Sequence, residues 1–285
     1  MSDVVIVTDS TAGIPEPVRG QLPITIVPLH LLWGKDDLRD GVDITPEAFY
    51  ERLQRDPQLP HTSQVPPEDF RQVFTRLLDE GKDVLSIQIS SKVSATYSSA
   101  LLAQEEVGSE HVEVLDSQSS SMGMGFAVLA AARAAQAGQS LEEVKQTAQQ
   151  ALDNSGILFV VRTLDYLAKG GRIGGAAALL GSLLQIKPVL TAKDGLVEVA
   201  AQVRTWSKSL DRLVDLVQQR VIGKKPIHLA VLHANAENEA HGLLDKVEHL
   251  VGMDRVCEVI TSHITPVLGT HFGPGTLAIA YMVGP

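Results

Sequence analysis

Three short turns rich in hydroxyl groups, each directly after an apolar run that reads as a strand, constrain this chain more than any other feature. They are Thr8-Asp9-Ser10-Thr11 after residues 4–7, Ser90-Ser91-Lys92-Val93-Ser94 after 84–89, and Asp116-Ser117-Gln118-Ser119 after 112–115. A helix-like segment follows each turn. Repetition of this strand–turn–helix unit calls for a parallel sheet, and its strand ends then share the edge where open α/β folds take ligands. One such turn is accounted for by helix capping, since Ser, Thr and Asp are the preferred caps. Three of them offer more hydroxyls than capping needs, and almost no cations. That suits a ligand with one modest polar head better than a polyphosphate.

Further helices are expected from Thr45-Pro46-Glu47, from Pro67 to Gly81 with Phe70, Phe74 and Leu77 on one face, and at about 94–107, 122–137 and 140–152. After Asn154-Ser155-Gly156 the pattern changes. A β-branched run at 157–161 leads to a helix, and segments 187–191 and 196–203 flank Lys193-Asp194-Gly195, a hairpin signal. Strand patterns at 227–232, 255–260 and 276–283 surround a helix near 237–250. The fold class expected is α/β: an N-terminal parallel-sheet α/β domain (1–156) and a C-terminal α/β domain (157–285) with a mixed, partly antiparallel sheet. A ligand would be buried between them.

Composition narrows the partners. Lys and Arg number 24 against 34 Asp and Glu, a formal charge of −10, which disfavours a nucleic-acid surface or anchoring on an anionic membrane. Cys257 is the single cysteine, which points to a reducing compartment, and Met1-Ser2-Asp3 lacks the basic start of a signal peptide. No apolar stretch reaches ~18–20 residues. A cytoplasmic location is expected. No metal-ligand cluster and no cofactor motif is evident. Gly170-Gly171-Arg172-Ile173-Gly174-Gly175 follows a helix and lacks the GK[ST] ending of a phosphate loop.

Two other loops stand out. His61-Thr62-Ser63-Gln64-Val65-Pro66-Pro67 reads as a proline-stiffened polar loop, and His271-Phe272-Gly273-Pro274-Gly275-Thr276 as a rigid turn before the last strand. The small and aliphatic segment 176–186 reads as a core helix or as the wall of an apolar tunnel.

Taken in order, these motifs resemble the DegV family: Thr8-Asp9-Ser10-Thr11, Thr62-Ser63-Gln64, Ser90-Ser91 with Ser94-Ala95-Thr96-Tyr97, Asp116-Ser117 with Ser121-Met122-Gly123, Tyr166-Leu167 with Gly170-Gly171-Arg172-Ile173, Arg204-Thr205, and His271 with Gly273-Pro274-Gly275-Thr276. The resemblance implies a two-domain protein that buries a long-chain fatty acid and, where a fatty acid kinase is present, offers the carboxylate to it for conversion to acyl phosphate, feeding phospholipid synthesis. It implies Thr62, Ser94 and His271 at the head group, with Ser63 and Thr96 beside them. It further places Arg172 in the phosphotransfer reaction and Arg204 in a second basic motif for partner contact. Ala95 stands where the family pattern has Gly, and Trp206-Ser207-Lys208 replaces a more basic run. A buried carboxylate held by hydroxyls and a histidine is physically reasonable. About 14 buried methylenes give on the order of 11 kcal/mol before association costs. Two other readings stay open: a stand-alone hydrolase or acyl transferase using Ser94 or Ser10 with His271, and an acyl-chain sensor without kinase coupling.

Overall fold

The first half begins with β1 (Val4–Asp9), α1 (Glu16–Arg19), β2 (Ile24–Val27), β3 (His30–Trp33), β4 (Asp36–Arg39) and α2 (Pro46–Arg55). It continues through β5 (His61–Ser63), α3 (Pro67–Asp79), β6 (Asp83–Gln88), α4 (Thr96–Val107) and β7 (Val112–Asp116). This computed structural model describes residues 3–108, 110–181 and 186–284. Strands β2-β1-β6-β7 form a parallel sheet in that order, so the turns after β1, β6 and β7 do lie along one edge. The expected local signals hold. The Thr45 hydroxyl accepts from the Ala48 N–H and opens α2, and Phe70, Phe74 and Leu77 bury one face of α3.

The polar loop expected at 61–67 is in part a strand. β4-β3-β5 form a small antiparallel sheet in which Leu31 pairs with Thr62 and His30 with Ser63. Three polar residues carry no alternation to read, and the order comes from the neighbouring strand.

Helices α5 (Met122–Gln136) and α6 (Leu141–Asp153) then lead to the second sheet; a Ser140–Glu143 capping box starts α6. That sheet is built from β8 (Ser155–Val160) onward. The chain passes α7 (Asp165–Lys169), β9 (Lys187–Lys193), β10 (Leu196–Val203) and α8 (Trp206–Val221). It ends with β11 (Ile227–His233), α9 (Glu237–Val251), β12 (Val256–His263), α10 (Pro266–Phe272) and β13 (Leu277–Val283). The order is β10-β9-β8-β13-β11-β12, and only β11 and β12 run parallel, the mixed sheet expected. Asp194 and Gly195 both take positive φ, 50° and 81°, which closes the β9–β10 hairpin tightly.

The alternation along these strands divides the core. Ile157, Phe159, Leu190 and Ala280 face the first half of the chain, while Leu158, Val160, Val189 and Ile279 face the layer that holds buried residues of α8 and α9. Between the sheets runs α5, which touches β1 on one side and β8 and β13 on the other. It is apolar all round because nearly every residue in it is buried.

The described part of segment 176–186 is not the core helix that was one of its two expected readings. Gly174–Leu179 is a 3₁₀ turn, and residues 182–185 lie outside the described residues. Gly174 has φ of 51°, and a Cβ there would collide with the Val197 carbonyl, so the glycines serve a close approach to β10. The turn expected at 271–276 is found at 273–276, ahead of the last strand, while His271 and Phe272 belong to the last turn of α10.

Candidate functional site

An apolar cavity opens where the hydroxyl-rich edge of the parallel sheet meets the β9–β10 hairpin and α10. Leu29, Ile89, Val93, Ala192, Leu196, Val197, Val267, Leu268 and Phe272 supply most of its wall. Both halves of the chain contribute. The cavity has a volume of about 150 Å³. None of residues 176–181 or 186 lines it, so the described part of that segment is not the tunnel wall.

Polar groups enter the lining in a few places: Thr62, Ser63 and Gln64 from β5 and its exit, Ser90 and Ser94 from the turn after β6, Ser119 and Ser120 from the turn after β7, and Arg172 and His271. The turns are tied to one another. Ser90 donates its N–H to the Ser119 carbonyl (2.9 Å) and its hydroxyl to the Gly195 carbonyl (2.8 Å), which anchors the hairpin tip to the sheet edge. Ser91 donates to the Asp116 carboxylate at 2.6 Å.

His271 is the best-defined member. Thr62 Oγ1 and His271 Nε2 share a hydrogen bond of 2.9 Å, while Nδ1 is buried against Gly170 with no hydrogen-bond partner among the described residues. Burial, with the positive Arg172 next in weight, pulls the imidazole down to about 4, so the ring is neutral at pH 7. A neutral ring that donates from Nε2 to Thr62 frees the Thr62 proton for an acceptor in the cavity. Ser94 is arranged similarly. Thr96 Oγ1 accepts from the Val65 N–H (3.4 Å) and lies 3.0 Å from Ser94 Oγ, so donation from Thr96 leaves the Ser94 proton free. Thr96 itself is fully buried and does not reach the lining; it acts behind Ser94. Ala95 has φ of −81°, so the alanine at this position needs no glycine-like backbone.

Arg172 is not the free loop residue its glycine neighbours suggest. Its Nε donates to the Val93 carbonyl (3.0 Å) and its guanidinium also donates to the Gly170 carbonyl (2.6 Å), which holds it half-buried at the cavity wall. Arg204 is exposed beyond the end of β10 and does not line the cavity.

The first hydroxyl turn is structural. Asp9 accepts from Thr11 and from the Ile89 N–H (2.7 Å), and Ser10 donates to Asp40 at 2.8 Å. Neither Asp9 nor Ser10 lines the cavity, and the bond made by His271 goes to Thr62 rather than to Ser94 or Ser10. The pairs expected for a hydrolase, Ser94 or Ser10 with His271, are not formed among the described residues. Asp40 is a buried acid that sequence reasoning missed. Only 2% exposed, it is pushed up to about 7, chiefly by burial, against the opposing bond from Ser10. Among the described residues no helix is long and apolar enough to cross a membrane.

The chain matches the family model described as "Uncharacterised protein, DegV family" over residues 3–283. A DegV domain-containing protein of Clostridium perfringens is 36% identical over 282 residues, covering 98% of each chain. Among solved structures, the DegV family protein of Thermus thermophilus, reported for its fatty acid binding, superposes with a TM-score of 0.91 at 36% identity, covering 99% of this chain and 100% of that one. DegV of Bacillus subtilis, a fatty acid binding protein, gives 0.90 at 31% identity, covering 100% of both chains.

Proposed function

Since this chain belongs to the DegV family, we propose that it binds one long-chain fatty acid, with the chain in the apolar cavity and the carboxylate at Thr62, Ser94 and His271. The observation that carries this reading is the Thr62–His271 bond at the cavity wall, made by a histidine that burial keeps neutral. Neutral donors stabilise a buried carboxylate without adding a cation that must itself be desolvated. The methylenes supply most of the affinity, and the polar end fixes direction. Ser63 borders the same end. Domains at 1–156 and 157–285 would place the chain between them, in keeping with the lining drawn from both halves. The test is direct: an organic extract of the purified protein, examined by mass spectrometry, should contain fatty acid.

The family further motivates a carrier role, in which a separate fatty acid kinase phosphorylates the bound carboxylate to acyl phosphate for phospholipid synthesis. Arg172 supports this extension, because a positioned guanidinium at the cavity wall stabilises charge gathering on a transferring phosphoryl group. The exposed Arg204 would contribute to partner contact. A cognate kinase assayed for acyl phosphate with and without this protein decides between a carrier and a protein that only binds.

A further inference from the structure

The cavity borders two separate clefts of opposite chemistry. One meets it at Thr62, Arg172 and His271 and also holds His61 and Lys169. The other meets it only at Ser119 and Ala192 and holds Asp116 and Asp153. The two clefts share no lining residue. A carboxylate held at Thr62 and His271 therefore borders the basic cleft, whereas Ser119 and Ala192 border the acidic one.

Hydrogen bonds and strand pairing anchor that boundary. Ala192 on β9 stands directly opposite Val197 on β10, so both side chains share the sheet face that lines the cavity. Ser119 is held through its carbonyl, which accepts from the N–H of Ser90, itself a lining residue of the cavity. On the cavity side a methylene gains affinity, about fourfold for each one buried. Beyond that boundary, Ser117, Gln118 and the two aspartates offer a polar cleft in which that gain ends.

We propose that Ala192, backed by Ser119, determines the length of acyl chain this protein accepts. The proposal rests on the fatty-acid reading above. Affinity should climb with chain length until the terminal methyl reaches Ala192, and then level off. A larger side chain at 192 moves the stop toward the head group, and glycine moves it away.

The experiment measures affinities of the delipidated full-length protein for saturated acids of about ten to twenty carbons, in the unsubstituted chain and in Ala192→Gly, Ala192→Val and Ala192→Leu. Melting temperatures identify any variant that fails to fold, and the Val and Gly variants then carry the test. Expected for Ala192→Leu is a plateau that arrives at shorter chains, with the longest acids weakened roughly tenfold or more and the shortest unchanged within about twofold. Ala192→Val should fall between, and Ala192→Gly should extend the plateau. Equal weakening at every length, or an unchanged profile in all folded variants, would overturn the proposal. Failure of the unsubstituted protein to bind any acid would instead overturn the fatty-acid reading, and this inference with it.

Discussion

Thr62 Oγ1 lies 2.9 Å from His271 Nε2, a hydrogen bond that spans 209 residues and joins a three-residue strand to the last turn of a seven-residue helix. The two groups meet at the cavity wall, where the neutral imidazole sets the direction in which the threonine proton points.

The first prediction concerns that pair. Thr62→Ala and His271→Ala should each weaken fatty-acid binding by roughly 1–3 kcal/mol, because a buried acceptor loses a donor. The double variant should lose less than the sum, since the groups act through one bond. Isothermal titration on the four proteins measures this. Strict additivity would mean that the two residues act separately.

Gly170 offers a steric test of the same site. Its φ is an ordinary −77°, so alanine suits the backbone, yet the added Cβ would collide with His271 Nδ1. Gly170→Ala should therefore displace the ring and lower affinity at least as much as His271→Ala, while the protein stays folded. Unchanged binding would show that the ring position does not matter.

Arg172→Ala should leave fatty-acid affinity within a few-fold, because the carboxylate is assigned to neutral donors, yet abolish most acyl-phosphate formation with a cognate kinase. It should also raise the pKa of His271, since the Arg172 charge now lowers it. The value should stay below that of a free imidazole, because burial is the larger cause. NMR titration of the His271 ring and parallel binding and phosphorylation assays check all three outcomes.

Asp40 predicts a pH dependence. Its folded-state pKa of about 7 lies above the ordinary carboxylate value near 3.8, so the native state holds its proton longer than the unfolded chain does. The stability this contributes is complete below about pH 4 and is lost as pH rises to 7, at a slope of roughly 1.4 kcal/mol per pH unit. Asp40→Asn should flatten the profile between those limits relative to the unsubstituted protein. Denaturant unfolding across pH measures the difference, and parallel profiles would contradict it.

Much of this architecture was legible in the sequence where one physical signal dominated. The strand–turn–helix repetition specified a parallel sheet, the segment 122–137 was expected as the helix that α5 forms, and Lys193-Asp194-Gly195 marked a tight hairpin. Elements ordered by distant partners were less visible. β5 depends on β3, and α10 is short and carries Gly269, where a Cβ would crowd Tyr50 Oη. The segment 206–221 was not among the expected helices, although the spacing of Leu213, Val217 and Val221 carries the signal. At the site, the family resemblance pointed to Thr62, Ser94 and His271, but not to which hydroxyls face the cavity. Thr96 turns inward to Ser94, Ser10 is taken by Asp40, and Arg172 is fixed by two carbonyls that no local pattern encodes. Asp40 itself sits in an ordinary polar run, and only the packing above it makes its charge costly.

The most direct measurement is mass spectrometry of an organic extract from the purified, full-length protein, calibrated against protein concentration. About one fatty acid per chain is the result predicted here. An extract without fatty acid, together with no detectable binding of added palmitate or oleate, would contradict the central claim.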